Sequence, residues 1–204
     1  MTERSEGRGG AAIGRPGSYA KGHARRQEIL DRAIEVFAEL GSEGASLRRI
    51  AESIGVSHAA LLHYFDSREQ LLVAVYEHAE AARIRGSRAE EVETALDILL
   101  RSAIENATVP GLVQLYSTLV ATSVRAEAGE SRRYFTERFA HVRREIADRL
   151  RADQAAGRVR DDVDAEDLAS VLIASSDGLQ IQWLLDPDVG IERTLRVFSA
   201  LLRP

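Results

Sequence analysis

The chain has 204 residues, of which 45% are hydrophobic and 29% are charged, an ordinary composition for a folded globular protein. It contains no cysteine, which excludes disulfides, thiolate metal sites and cysteine nucleophiles. The net charge of −5 argues against nucleic-acid binding by the chain as a whole. Residues 1–70 carry ten basic and ten acidic side chains, whereas residues 71–204 carry 17 and 22. A DNA contact is therefore expected only near the N-terminus.

Residues 1–22 are rich in Gly, Ser and Arg and show no periodic apolar pattern. Their net charge of +2 predicts a flexible tail, or alternatively a basic arm that touches DNA. They contain no apolar stretch long enough for a signal peptide, and the uncharged stretch 106–124 is too polar to span a bilayer. The sequence therefore predicts a soluble, cytoplasmic protein with no membrane partner.

From residue 24 onward, apolar side chains recur at three- and four-residue steps, the spacing of an amphipathic helix. Gly41 is expected to end the first helix, and Ser46 and Gly55 to bound the second. Ser57 is expected to cap a short third helix to about Tyr64, and Ser67 begins a fourth that reaches about residue 85. The stripe of the first helix comprises Ile29, Ala33, Val36, Phe37 and Leu40.

Further helices are predicted near 89–107, 111–126, 131–156, 164–185 and 190–202, separated by glycine and proline turns. Asp164 is expected to cap the helix that it precedes. Since no segment of useful length alternates with period two, the predicted fold class is all-α.

Residues 46–65 encode two short helices joined by a tight turn at Gly55 and Val56. Gly55 can adopt the positive φ that ends one helix, and Val56 can then fill the space between the two. This arrangement places the N-terminal residues of the second helix against base edges in the major groove of DNA. The segment therefore predicts a helix-turn-helix.

The stretch RRQEILDRAIEVFAELGSEGASLRRIAESIGVSHAALLHYFDSREQLLVAVYEH resembles the DNA-binding domain of the TetR family of bacterial repressors. The resemblance implies a homodimer with a helical C-terminal domain that binds a small-molecule effector. It divides the chain into a tail (1–22), a helix-turn-helix domain (23–70), and an effector-binding and dimerisation domain (71–204). By the same resemblance, the wide apolar faces of helices 164–185 and 190–202 form the subunit interface, and the operator is a palindrome.

The DNA-contacting residues predicted from this resemblance surround the third helix. Arg68, at a helix N-terminus, is expected to bind phosphate, and Arg48 to reach a phosphate or a base edge unless it is only a solvated arginine. Leu62 departs from the family pattern because it lacks the usual tyrosine hydroxyl. The full predicted set is Arg48, Ser57, His58, Ala59, Ala60, His63, Tyr64 and Arg68.

The effector site is predicted from polar side chains in otherwise apolar helices, which need partners when they are buried. The candidates are Gln114, Tyr116, Thr118, Asp177 and Trp183. The alternative for the residues near 114–122 is bonding to backbone or water. Asp177 either anchors a polar group of the effector or meets an arginine across a subunit interface.

The remaining searches are negative: the histidines show no ligand spacing, and there is no nucleophile, phosphate-loop or dinucleotide motif. The sequence predicts no cofactor, no metal and no enzymatic activity. The prediction is a DNA-binding repressor that an effector releases from its operator. The alternatives are an activator or ligand-independent regulator of the same fold, or a small-molecule-binding protein that has lost DNA binding.

Overall fold

The computed structural model describes residues 16–44, 46–86 and 93–204, with the backbone alone at residues 16–20 and 40–44. Within those ranges every regular element is an α-helix, which confirms the all-α fold class. The ten described helices are α1 (Pro16–Gly44), α2 (Leu47–Ile54), α3 (His58–Tyr64), α4 (Arg68–Gly86), α5 (Ala95–Thr108), α6 (Leu112–Arg125), α7 (Glu130–Ala155), α8 (Ala165–Leu185), α9 (Ile191–Leu195) and α10 (Phe198–Leu201).

The first helix is longer at both ends than the sequence indicates. It begins at Pro16, so the prediction of a flexible tail is wrong for residues 16–22, and residues 1–15 lie outside the described part. Proline is well tolerated in the first turn of a helix, where its missing N–H has no intrahelical partner. The helix also continues through Gly41 to Gly44, because a helical glycine costs only about 1 kcal/mol and does not force a stop.

Two further boundaries differ from the prediction. Helix α5 begins at Ala95, where Thr94 and Asp97 form a reciprocal capping box, and residues 89–92 of the predicted helix lie outside the described part. The predicted helix 190–202 is two short helices, α9 and α10. The predicted cap of α8 is confirmed, since the carboxylate of Asp164 accepts hydrogen bonds from the N–H groups of Glu166 and Asp167.

The buried apolar side chains form two clusters. The first cluster contains residues of α1, α2, α3, α4 and α6 together with Phe135 of α7. It includes the apolar residues predicted for the first helix apart from Leu40, whose side chain is not described. The other joins α5, α8 and α9 with the C-terminal half of α7. The predicted domain boundary at residues 70 and 71 falls inside α4, whose residues 71–76 belong to the first cluster. Helix α4 thus connects the helix-turn-helix rigidly to the rest of the chain.

Helices α1 and α6 approach closely where α6 begins. Gly111 has φ of 74°, and a Cβ atom on it would lie 2.7 Å from the Cβ of Ala38 in α1. Only glycine satisfies both the positive φ and this separation. The contact fixes α1 against the helices of the C-terminal part.

Helix α8 is the one described helix whose length and composition would allow it to cross a membrane, with a mean hydropathy of 1.2. In this structure it packs against α5, α6, α7 and α9. Its other side leaves several large apolar residues exposed, namely Val171, Ile181, Leu184 and Leu185. The apolar composition of α8 therefore reflects one buried face and one face without a partner in the single chain.

Candidate nucleic-acid interface and effector cavity

Helices α2 and α3 are joined by the turn that the sequence predicts. The hydroxyl of Ser46 accepts a hydrogen bond from the N–H of Arg49 and caps α2. Gly55 ends that helix with φ of 73° and ψ of 32°, the left-handed conformation that favours glycine. Val56 then donates its N–H to the carbonyl of Ala51 at 2.9 Å and closes the turn.

The recognition helix α3 buries one face and exposes the other. Leu61 and the following Phe65 are fully buried in the first cluster. The hydroxyl of Ser57 accepts a hydrogen bond from the N–H of Ala60 at 3.0 Å, so it caps the helix. The predicted base-reading residues all lie on the exposed side: Ser57, His58, Ala59, Ala60 and His63. This face of α3 is free to enter a groove of DNA.

Three predicted contacts flank this face. Tyr64 is half-buried against the first cluster, with its ring 5.3 Å from that of His63. Arg68 is half-buried at the start of α4. Arg48 is 81% exposed and its Nε donates to Glu52 at 3.0 Å. An exposed pair of this kind contributes little free energy, so Arg48 can exchange Glu52 for a phosphate.

Two arginines of α1, which the sequence analysis did not select, hold the helix-turn-helix in place. The Nη1 of Arg32 donates to the carbonyl of Ile54 at 3.0 Å, at the C-terminal end of α2. This bond places a cation where the helix dipole is negative. The guanidinium of Arg26 lies 5.1 Å from the centre of the Phe65 ring. Both contacts fix the orientation of α2 and α3 relative to α1.

A cavity of about 510 Å³ lies between α4, α5, α7 and α8, about the size of a small-molecule site. We call it the effector cavity. Apolar side chains form much of its wall, and charged groups enter from α4, α5, α7 and α8. Its lining comprises Glu80, Arg83, Ile84, Ile98, Leu99, Arg101, Ser102, Ala103, Asn106, Arg138, His141, Val142, Glu145, Ile146, Ile173, Ser176, Asp177 and Gln180.

Arg138 of α7 is the centre of a polar network on the wall of the cavity. Its Nη2 and Nε donate to the Oε1 of Glu80 in α4 at 2.5 and 3.1 Å. Its guanidinium lies 5.5 Å from the ring centres of both Tyr76 and Tyr116. The hydroxyl of Tyr134 donates to Glu80 at 3.3 Å. Burial disfavours the charged form of this guanidinium, but the Tyr76 and Tyr116 rings and the bond to Glu80 outweigh it and raise the pKa of Arg138 above its ordinary value.

Asp177 of α8 lines the same cavity and accepts a hydrogen bond from the hydroxyl of Tyr116 at 2.8 Å. Burial raises the pKa of Asp177 above its ordinary value, and it outweighs the opposing effects of the Tyr116 bond and of Arg138. Burial, with the charge of Asp177, also raises the pKa of Tyr116, so this hydroxyl remains a donor. Asp177 forms no ion pair with the residues that the structure describes.

A second set of charges lies where α4 meets α5. The Nη1 of Arg83 donates to Glu105 at 2.8 Å, and Arg101 donates through Nε and Nη2 to Glu93 at 2.8 and 3.0 Å. Arg101 also lies 3.8 Å from Glu105. The bond to Glu93 contributes most to raising the pKa of Arg101. The positive charges of these two arginines are therefore neutralised by the negative charges of the two glutamates.

The five residues predicted to bind the effector do not all lie at one site in the structure. Asp177 lines the effector cavity, and Tyr116 contacts Asp177. Gln114, Thr118 and Trp183 are not among the described residues of its lining. The hydroxyl of Thr118 donates to the carbonyl of Gln114 at 2.8 Å, which is the backbone bonding that the sequence left as an alternative. Trp183 packs against the second cluster.

Four residues of the cavity lining were not predicted from the sequence: Glu80, Arg138, Asn106 and Gln180. The amide of Asn106 donates to Gln180 at 3.2 Å across the cavity wall. One local signal pointed to Arg138: Tyr134 and Phe135 precede it by four and three residues and share its helix face, where an arginine can lie over an aromatic ring.

One contact links the first turn of α4 to α7. The Oε1 of Glu69 accepts a hydrogen bond from the N–H of Ser131 at 2.8 Å, at the N-terminus of α7. Glu80 on α4 meets Arg138 on α7 about two turns farther along that helix. Helix α4 is thus held to α7 at both places, one next to the helix-turn-helix and one at the cavity.

Comparison with known proteins agrees with this arrangement. The family model for bacterial regulatory proteins of the tetR family matches residues 29–75, and that for the C-terminal domain of BetI-type transcriptional repressors matches residues 88–203. The chain belongs to the TetR family. It is a DNA-binding transcriptional regulator of all-α fold.

Curated relatives of this TetR-family chain are repressors by name. The HTH-type transcriptional repressor Rv1474c of Mycobacterium tuberculosis is 33% identical over 159 residues, which cover 76% of this chain and 80% of that protein. The HTH-type transcriptional repressor AcnR of Corynebacterium diphtheriae is 33% identical over 156 residues, covering 76% and 78%.

Solved structures show the same fold. A TetR-family regulator from Rhodococcus sp. aligns with a TM-score of 0.71 and 27% identity, covering 88% of this chain and 98% of that one. A regulator from Saccharomonospora viridis, solved in complex with choline, aligns with a TM-score of 0.68 over 87% and 94%. Its identity of 23% supports the shared fold alone.

Proposed function

We propose that this regulator is a homodimeric, cytoplasmic repressor that binds a palindromic operator through α3 and is released when a small molecule enters the effector cavity. The observation that carries the proposal is the exposed face of α3 beside a half-buried Arg68 at the start of α4. The names of the curated relatives favour repression over activation. The proposed DNA contacts are Arg48, Ser57, His58, Ala59, Ala60, His63, Tyr64 and Arg68.

Release by an effector requires that the ligand bind the DNA-incompetent conformation more tightly than the DNA-competent one. Helix α4 supports such a link, because it begins at Arg68 beside α3 and carries Glu80 on the cavity wall. A ligand that displaces Arg138 from Glu80 changes the restraint on α4. The proposed consequence is a shift in the separation of the two recognition helices of the dimer.

The dimer is proposed to form through α8 together with α9 and α10. Several large apolar side chains are exposed in this part of the chain. They are Val171, Ile181 and Leu185 on α8, Val197 between α9 and α10, and Leu201 on α10. Exposed large apolar side chains on these helices support an interaction site here. A two-fold axis through this surface would make the half-sites of the operator inverted repeats, about 34–36 Å apart or a multiple of that.

The test is selection of bound sequences from a random DNA pool by the full chain. The expected result is enrichment of an inverted repeat, and a pool without one would contradict the proposal. His58→Ala is expected to relax selection at one position in each half-site, since His58 is exposed at the N-terminal end of α3. His141→Ala, which removes an exposed histidine on α7, serves as the matched control and should leave the selected sequence unchanged.

The direction of regulation is tested separately. Deletion of the gene is expected to raise the transcripts whose promoters contain the selected repeat. A fall in those transcripts would identify an activator of the same fold.

A further inference from the structure

We propose that the ligand of the effector cavity is an organic amine, a cation whose N–H groups bind Asp177 and whose apolar body fills the remaining space. This inference rests on the proposed function, because it names the chemical class of the effector. It is carried by the charge balance of the cavity, by the surroundings of the aromatic rings, and by the apolar walls.

The charges lining the cavity leave Asp177 as the uncompensated group. Arg138 is committed to Glu80 through two of its nitrogens. Arg83 and Arg101 are balanced by Glu93 and Glu105. The side chains of His141 and Glu145, which pair with each other, are both more than 60% exposed, so water screens their charges. A carboxylate half-buried without an ion pair favours a cationic ligand.

The aromatic rings decide between two kinds of cation. A quaternary ammonium group needs the open faces of several rings, since it has no N–H to donate. No phenylalanine, tyrosine or tryptophan is among the described residues of the lining, and the nearby rings of Tyr76 and Tyr116 already lie 5.5 Å from the guanidinium of Arg138. Asp177 instead offers an acceptor, because Tyr116 occupies Oδ2 alone. Charge-assisted hydrogen bonds to a carboxylate are the interactions that a protonated primary or secondary amine makes best.

Apolar side chains form part of the wall, beside polar groups such as Asn106 and Gln180, which bond to each other. Ile98 and Leu99 come from α5, Val142 and Ile146 from α7, and Ile173 from α8. These apolar groups favour a hydrocarbon or aromatic body next to the amine.

The first experiment uses the unmodified protein at pH 7 and four probes with one shared ring. Calorimetric titrations compare benzylamine, benzyl alcohol, benzoate and benzyltrimethylammonium. Benzylamine is expected to bind at least about tenfold more tightly than each of the others, the effect of one hydrogen bond to a charged group. Equal or tighter binding of benzoate, or of the quaternary ion, overturns the proposal.

The second experiment assigns the preference to one carboxylate. Asp177→Asn is expected to weaken benzylamine binding at least about tenfold while leaving benzyl alcohol binding within about twofold. Asp148→Asn is the matched control, because it neutralises a carboxylate on α7 that is 75% exposed and is not among the described residues of the cavity lining. A loss of benzylamine binding in both variants, or in neither, contradicts the role of Asp177. If Asp177→Asn does not fold, the four-probe comparison decides alone.

A third measurement separates this inference from the proposed function. Fluorescence anisotropy follows the selected operator while each probe is added at concentrations above its Kd. If the operator binds and benzoate releases it better than benzylamine, repression stands and the amine is wrong. If no operator is selected, the repressor is wrong, and the calorimetry still tests the ligand class.

Discussion

Arg68 stands where the helix-turn-helix ends and α4 begins, half-buried in the first turn of a helix of 19 residues. Both the positive end of the helix dipole and the guanidinium favour a phosphate there. Leu62, 40% exposed on α3, offers no hydroxyl to share this task. We therefore expect the contact with the DNA backbone to depend strongly on Arg68.

Arg68→Ala is expected to weaken operator and non-specific DNA binding alike and to reduce the salt slope of binding by about 1, since one phosphate contact is lost. The measurement is fluorescence anisotropy at several salt concentrations. Arg160→Ala, which removes an exposed arginine paired with Asp162 far along the chain, is the control. An unchanged salt slope in Arg68→Ala would remove Arg68 from the phosphate contacts.

Asp177 makes the stability of the fold depend on pH, in the direction opposite to that of most acidic residues. Its pKa is raised in the folded state, so the folded protein binds its proton more tightly than the unfolded chain does. The stabilisation present below the ordinary aspartate pKa of about 3.9 is therefore lost as pH rises through the folded-state pKa. At pH 7 the buried charge destabilises the fold.

Asp177→Asn is accordingly expected to unfold at higher urea concentration than the unmodified protein at pH 7, because the amide still accepts from Tyr116 without a buried charge. The advantage should shrink as pH falls toward 4. Unfolding curves at both pH values, with Glu145→Gln as the exposed-carboxylate control, check this. An Asp177→Asn chain less stable at pH 7 would show that the carboxylate is better solvated than its burial indicates.

At the scale of the elements, the sequence predicts what local chemistry determines. Ser46, Gly55 and Asp164 bound their helices as expected, because a cap depends on bonds within about four residues. Gly41 was a poor stop signal for α1, since glycine is tolerated inside a helix that the core supports. The capping box of Thr94 and Asp97 is equally local, although the sequence prediction placed the start of α5 near residue 89.

The effector cavity was less predictable than the helices. Glu80 and Arg138 are 58 residues apart, and helical periodicity does not say which polar residues of two helices will meet. Thr118 and Asp177 both looked like polar residues in apolar helices. Thr118 satisfied its hydroxyl on the preceding turn, which a short β-branched alcohol can do and a carboxylate cannot.

The junction of α1 and α6 depends on Gly111. Comparing alanine variants of Gly111 and Gly55 separates the cost of backbone strain from the cost of the close contact with α1. Both Gly55 and Gly111 have φ near 73°, but a Cβ on Gly55 would meet nothing within 4 Å. Gly55→Ala is expected to lose about 1–2 kcal/mol of stability through the left-handed conformation alone. Gly111→Ala is expected to lose about 1–3 kcal/mol more, because its Cβ would lie 2.7 Å from that of Ala38.

Urea unfolding of both variants at one protomer concentration measures the difference. Equal losses would mean that α1 and α6 separate without cost at this point. The junction would then be a flexible contact and not a fixed one.

At the scale of the whole molecule, the two clusters and the two contacts between α4 and α7 describe how the parts are joined. The helix-turn-helix shares its core with α4 and α6, while the cavity lies mainly on the second cluster. Glu69 and Glu80 connect the two from the same helix. We therefore propose that an effector acts on the DNA-binding surface through α4, without needing to contact α3.

The final prediction concerns the surface that a single chain leaves uncovered. Ile181 and Leu185 lie one turn apart on α8, 45% and 84% exposed. Replacing both with glutamate places like charges against their own symmetry mates if a two-fold axis passes here. Sedimentation velocity is expected to show monomers, and affinity for the inverted repeat should fall at least about 100-fold because the second half-site no longer adds to binding. Val124→Glu, which charges a side chain 74% exposed on α6, is the control and should remain dimeric. A double variant that stays dimeric and binds the repeat normally would place the interface elsewhere.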